Sequence, residues 1–146
     1  MATIRTFEDI EAWRKARELS RDIFERTLKE TFAKDYSLKD QINRASGSIM
    51  DNIAEGFERG GTKEFIMFLS YSRGSAGEVR SQLYRALDHK HISEEEFNNL
   101  KDQVVQISEM ITSLMTYLKN TDLKGLKFHE PEELYNSLGS VINLQL

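Results

Sequence analysis

Cysteine is absent, which excludes disulfides, thiolate metal sites and cysteine nucleophiles. Proline occurs once, as Pro131, and glycine eight times in 146 residues. That is poor material for a turn-rich β architecture and good material for long helices. No apolar run approaches the roughly 18 residues that span a bilayer. The opening Met1-Ala2-Thr3-Ile4-Arg5 has no apolar stretch of the kind that marks a signal peptide. A cytoplasmic protein with no membrane partner is expected. An excess of positive charge is also missing: 20 Lys+Arg face 24 Asp+Glu, for a net charge of −4. The acidity gathers in residues 91–146, with 4 basic against 9 acidic side chains. The overall field therefore does not steer the chain to nucleic acid.

Catalytic patterns are lacking too. His89, His91 and His129 do not lie in the Glu-x-x-His spacing of di-iron bundles, and His91 stands three residues from Asp88 with no further ligand in view. There is no phosphate-cradling glycine loop and no nucleophile elbow. No catalytic residue, metal or cofactor is expected, and the chain does not read as an enzyme.

What is present is enough apolar material for one core: 39% hydrophobic and 10% aromatic residues. The spacing predicts four amphipathic helices over about 7–32, 37–58, 62–90 and 93–120. The last is clearest, because Phe97, Leu100, Val104, Ile107, Ile111, Leu114 and Leu118 recur in steps of three and four. Ser93 with Glu96 forms a capping box at its start. The third stripe is Phe65, Leu69, Ser72, Ala76, Val79, Leu83 and Ala86, with Thr62 as cap; its phase is kept through Ser75-Ala76-Gly77-Glu78, so the helix is read as continuous. The second is Leu38, Ile42, Ala45, Ile49, Ile53 and Gly56, from a Ser37 cap to a stop at Gly60-Gly61. The first uses Ile10, Trp13, Ala16, Leu19, Ile23, Phe24 and Leu28, with Thr6 and Asp9 as its box. Short links between long helices force antiparallel neighbours. The expected fold is therefore all-α: an antiparallel up-down-up-down four-helix bundle over 1–120, with a C-terminal tail over 121–146. No β pattern competes. In the tail, Pro131 opens a short helix that Gly139 ends, and Val141, Ile142, Leu144 and Leu146 look made to dock.

Some features exceed what a lone bundle needs. The run Phe65-Ile66-Met67-Phe68-Leu69-Ser70-Tyr71 is apolar nearly all round. With Phe65 and Leu69 inward, Ile66, Met67 and Tyr71 are left as candidates for a subunit interface. Gly47, Gly56, Gly74 and Gly77 suggest close approach of another backbone, since glycine inside a helix costs about 1 kcal/mol relative to alanine. Arg44, Ser48, Asn52, Glu55 and Arg59 line one flank of the second helix and read as a polar network holding helix register, with Glu78 or Arg73 as its partner across the seam. A ligand or phosphate site is the other reading of that stripe. Arg14, Arg17 and Arg21 share a face of the first helix. Arg14 with Glu18 and Arg21 with Glu25 can pair, and phosphate contact is the alternative.

The run from Arg44-Ala45 through Ser48-Ile49 and Asn52-Ile53-Ala54-Glu55-Gly56 to Arg59 resembles a family signature. It continues in Glu64-Phe65, Phe68-Leu69, Arg73-Gly74-Ser75, Glu78 and Gln82-Leu83, preceded by Trp13-Arg14-Lys15-Ala16. The family is that of bacterial four-helix-bundle proteins first described from intervening sequences in large-subunit ribosomal RNA genes. The resemblance covers roughly residues 7–120. It implies a bundle that assembles into a ring, most often a pentamer. The accessory variability determinant of diversity-generating retroelements is similar in fold; it is basic and works with a reverse transcriptase and nucleic acid. This chain departs from it in its acidity and its tail. Two functions follow as expectations. One is a non-enzymatic homo-oligomeric scaffold or adapter. The other is an RNA- or DNA-binding accessory acting with ribosomal RNA or a reverse transcriptase, with Arg14, Arg17 and Arg21 as its nucleic-acid contacts.

Overall fold

A computed structural model describes residues 3–121 and 128–129. Four helices dominate it: α1 (Glu11–Thr27), α2 (Tyr36–Glu58), α3 (Thr62–Asp88) and α4 (Glu94–Asn120). Each packs on its neighbour in sequence, and α4 closes the square on α1; the α2–α3 seam is the most extensive and α1–α4 the thinnest of the four. This is the expected antiparallel up-down-up-down bundle. Every residue of the α2, α3 and α4 stripes is buried, and α3 is unbroken through Ser75-Ala76-Gly77-Glu78.

The first helix is shorter than its spacing suggested. Asp9 accepts the backbone N–H groups of Arg5 (2.9 Å) and Thr6 (3.1 Å). The Thr6/Asp9 pair thereby caps the start of a separate 3-10 turn, Phe7–Asp9, and the extended backbone of Ile10 divides that turn from α1. At the other end Glu30 adopts a left-handed φ of 48°, and a second 3-10 turn, Phe32–Lys34, follows. The buried face of α1 is Ala12, Ala16, Leu19, Ile23 and Thr27. Phe24 lies about 100° round the helix from its centre, and Leu28 falls just past the helix end; they are 52% and 53% exposed, not core. Two caps also differ. Asp35, not Ser37, caps α2 by accepting the Leu38 N–H at 3.2 Å. Gly61, not Thr62, is the N-cap of α3.

A two-residue antiparallel ladder joins β1 (Thr3–Ile4) to β2 (Phe128–His129), with Ile4 opposite Phe128 and fully buried. No strand is expected here from the sequence, because two residues carry no alternation. The rest of the expected tail, with its short helix at Pro131 and its aliphatic end, lies outside the described residues.

Of the glycines expected to admit a neighbouring backbone, only Gly56 does. A Cβ there would stand 2.6 Å from the Cβ of Phe68, whereas Gly47, Gly74 and Gly77 have nothing within 4 Å. Gly60, with φ 81°, provides the turn between α2 and α3.

The thin α1–α4 seam is pinned at one end by Glu96. Its Oε1 accepts the Ser93 N–H at 3.0 Å, the Glu96 N–H donates to Ser93 Oγ at 3.1 Å, and Oε2 meets Arg26 of α1 at 2.7 Å. The Ser93 N–H chiefly, with Arg26 and Lys29 adding, holds the Glu96 carboxyl below the ordinary 4.5. A depressed folded-state pKa gives stability that is full above the ordinary value and lost as pH falls through the folded one. Glu96→Gln is expected to lose about 1 kcal/mol near neutrality. In urea titrations the gap to the wild-type chain should narrow as pH falls below the ordinary 4.5 and through the lower folded-state value. A gap independent of pH would show that the carboxylate charge contributes nothing.

Candidate interaction face, polar seam and histidine cluster

On α3 the angular positions of Met67, Tyr71, Gly74 and Glu78 lie opposite the core stripe, and all four are exposed. Met67 is 42% and Tyr71 52% exposed, with the Tyr71 ring edge-on to Phe68 at 5.6 Å. Ile66, expected beside them, is half-buried and packs against the core cluster instead. Phe68 is half-buried beneath the Arg59 guanidinium, 5.1 Å from the ring centroid. In the Phe65–Tyr71 stretch of α3 the exposed apolar residues are therefore Met67 and Tyr71; elsewhere Phe24, Leu28, Tyr36 and Tyr84 are also exposed.

The polar stripe of α2 divides into parts. Arg44 pairs with Asp40 at 3.2 Å and Arg59 with Glu55 at 2.8 Å, both along the exposed helix surface. Asn52 Nδ2 donates to the carbonyl of Ser48 at 2.8 Å and to its hydroxyl at 2.9 Å. The seam to α3 is crossed by Ser75, whose hydroxyl donates to Ser48 Oγ at 3.0 Å, and by Ser72, whose hydroxyl donates to the Ile49 carbonyl at 2.6 Å. Neither partner anticipated from the sequence crosses it: Arg73 reaches Thr112 of α4 at 3.2 Å, and Glu78 is exposed. Ser72 stands on the expected core stripe, and Ser75 stands in the Ser75-Ala76-Gly77-Glu78 run of the continuous helix. A serine on an apolar stripe is the sequence signal for such a bond, since its buried hydroxyl needs an acceptor. Gln41, Arg44, Ser48, Ser75, Glu78 and Gln82 line a groove of about 360 Å³ beside this seam, and Gln82 Oε1 is buried with no hydrogen-bond partner among the described residues.

The three arginines of α1 have different surroundings. Arg14 pairs with Glu11 and donates to the Glu8 carbonyl at 2.9 Å. Arg17 lies 6.0 Å from the Trp13 ring centroid. Arg21 is exposed and makes no ion pair among the described residues, with Glu25 or otherwise.

A further cluster was not legible in the sequence. Asp35 caps α2 through Oδ1, while its Oδ2 lies 2.9 Å from His91 Nε2 and 3.4 Å from His89 Nδ1. Lys90 between the histidines has a left-handed φ of 62°, and both rings meet the same carboxylate oxygen. The His91 ring stacks on buried Phe32 at 5.0 Å and its Nδ1 lies 2.9 Å from Thr31 Oγ1, so the side chain is held on three sides. The His91 hydrogen bond chiefly, then the Leu38 N–H, keeps the Asp35 carboxyl below the ordinary 3.8. Asp88, the partner visible from sequence spacing, is exposed and takes no part.

No curated protein matches the chain. A solved protein of unknown function from Bacteroides thetaiotaomicron, assigned to the S23 ribosomal protein family, superposes with a TM-score of 0.66 at 21% identity, covering 71% of this chain and 97% of its own. At that identity the likeness shows a shared fold. The 23S rRNA-intervening sequence protein family matches residues 8–113, which take in α1 to α3 whole and α4 through most of its length. By that match the chain belongs to the 23S rRNA-intervening sequence protein family.

Proposed function

We propose that this chain is a non-enzymatic cytoplasmic scaffold that assembles with copies of itself through the outer face of α3 into a closed ring. The observation that carries this reading is the position of Met67 and Tyr71: apolar, exposed, and opposite a core that α3 already fills with its other side. Soluble monomers tend to avoid contiguous apolar surface, and removing it from water contributes roughly 25 cal/mol per Å². A contact between two different faces of neighbouring subunits must close on itself or it makes filaments. Five subunits is the number favoured by the family resemblance. Gly74 continues the same outward line and leaves room for a neighbour to approach the helix. In this reading Ser48, Asn52, Ser72 and Ser75 hold α2 and α3 in register beneath the interface, and the Glu55–Arg59 pair shields Phe68.

Light scattering at micromolar concentration is expected to show one discrete species several times the 16.9 kDa of the chain. Met67→Glu with Tyr71→Glu should reduce it to a single chain with unchanged helical content. A wild-type mass of one chain overturns the proposal.

The second reading, an RNA- or DNA-binding accessory, is favoured by exposed Arg17 and Arg21 and by the ribosomal RNA context in the family's name. Arg14, engaged by Glu11 and the Glu8 carbonyl, weakens it. A gel shift that falls steeply with salt, and is removed by Arg17→Glu with Arg21→Glu, would favour this reading over the scaffold.

A further inference from the structure

The structure assigns a divalent transition-metal site to Asp35, His89 and His91, at the end of the bundle where the α1–α2 and α3–α4 connections meet, with zinc as its ion. Their donor atoms, one from each residue, lie within 4.8 Å of one another. Two of the separations, 2.9 and 3.4 Å, run from Asp35 Oδ2 to the two ring nitrogens. Ligands about 2.0–2.2 Å from a tetrahedral zinc stand about 3.3 Å apart, so small side-chain movements admit an ion among the three. Two imidazoles and one carboxylate suit zinc, cobalt or nickel and disfavour magnesium and calcium, which take oxygen donors.

The surroundings also fit. His91 is fixed by the Phe32 stack, and Thr31 Oγ1 lies against its other ring nitrogen, the outer-shell support that sets ring orientation at metal-bound histidines. Asp35 is fixed by its role as the α2 cap. His89 is 52% exposed and supplies the movable third arm. Its exposure leaves the fourth position open to water. The left-handed φ of Lys90 is a backbone conformation that a non-glycine residue seldom adopts, and it stands between the two histidines that converge here. With the ion bound, the site joins residues separated by the whole of α2 and α3, tying two loops into one unit. This inference is independent of the ring and stands or falls separately from it.

The test uses the full chain without an affinity tag, stripped with EDTA and titrated with zinc chloride by calorimetry, with cobalt(II) absorption as a second readout of ligand geometry. One zinc per chain at micromolar affinity or better is expected, with a rise in Tm on adding zinc. His89→Ala, at an exposed position, and Asp35→Ser, which keeps a helix-capping hydroxyl, should each weaken binding by about tenfold or more and abolish the Tm rise while leaving helical content unchanged. Absence of saturable zinc binding to the wild-type chain overturns the assignment. So does equal binding by wild type and both variants, which would place the ion elsewhere, for example at His129.

Discussion

Ile107→Ala is expected to destabilise the bundle by about 2–5 kcal/mol. Ile107 lies near the middle of α4, is 1% exposed, and stands in a stripe whose members from Phe97 to Leu118 are all buried. Truncation removes three carbons from an environment with no water to take their place. The loss is therefore the transfer free energy of those carbons together with that of the cavity left behind. Relaxation is limited, because α4 is held on one side by α3 and on the other by α1, and its start is locked by the Ser93–Glu96 box. Urea unfolding at fixed protein concentration measures the difference, fixed because assembly makes apparent stability concentration-dependent. A loss below about 1 kcal/mol would show that the α4 stripe does not form the core.

The second large effect is a reversal of sign between two identical changes. Gly77→Ala is expected to stabilise the chain by about 1 kcal/mol, because the new methyl meets nothing within 4 Å and alanine is the better helix former. Gly56→Ala gains the same helical preference but drives a methyl to 2.6 Å from the Cβ of Phe68 and 3.2 Å from Cδ1 of Phe65. A Cβ cannot swing aside as a side-chain tip can, so α2 and α3 must separate at this point of close approach. Overpacking of this kind costs about 1–3 kcal/mol, and a separated seam also strains the hydroxyl bonds of Ser72 to Ile49 and Ser75 to Ser48. The net change at Gly56 is expected to be destabilising, and greater for Gly56→Leu. Equal stabilisation by both alanines would show that the helices do not approach at Gly56.

The polar positions illustrate a limit of periodicity. Arg44, Ser48, Asn52, Glu55 and Arg59 were recognisable as one flank of a helix, and they are one. Which of them reaches another helix depends on side-chain length and on rotation about the α2–α3 axis. The short hydroxyls of Ser48 and Ser75 meet across the seam, while the long Arg44 and Arg59 turn back to Asp40 and Glu55 on their own helix. A charged head gains more from staying in water beside a neighbour four residues away than from entering a packed seam.

By itself the sequence determined the all-α class, the number and order of the helices, and the buried stripes of α2, α3 and α4. Those follow from local repeats of three and four residues that survive any packing arrangement, and short links between long helices force antiparallel neighbours. Only the tertiary structure decided where α1 begins and ends, because Asp9 and Glu30 act through single backbone geometries rather than a repeat. It alone distinguished Gly56 from Gly47, Gly74 and Gly77, since crowding is a property of the neighbouring helix. It alone brought Asp35 to His89 and His91 across the lengths of α2 and α3. Their meeting depends on the antiparallel return of the chain and on the turn at Lys90, and neither leaves a spacing that can be read along the sequence.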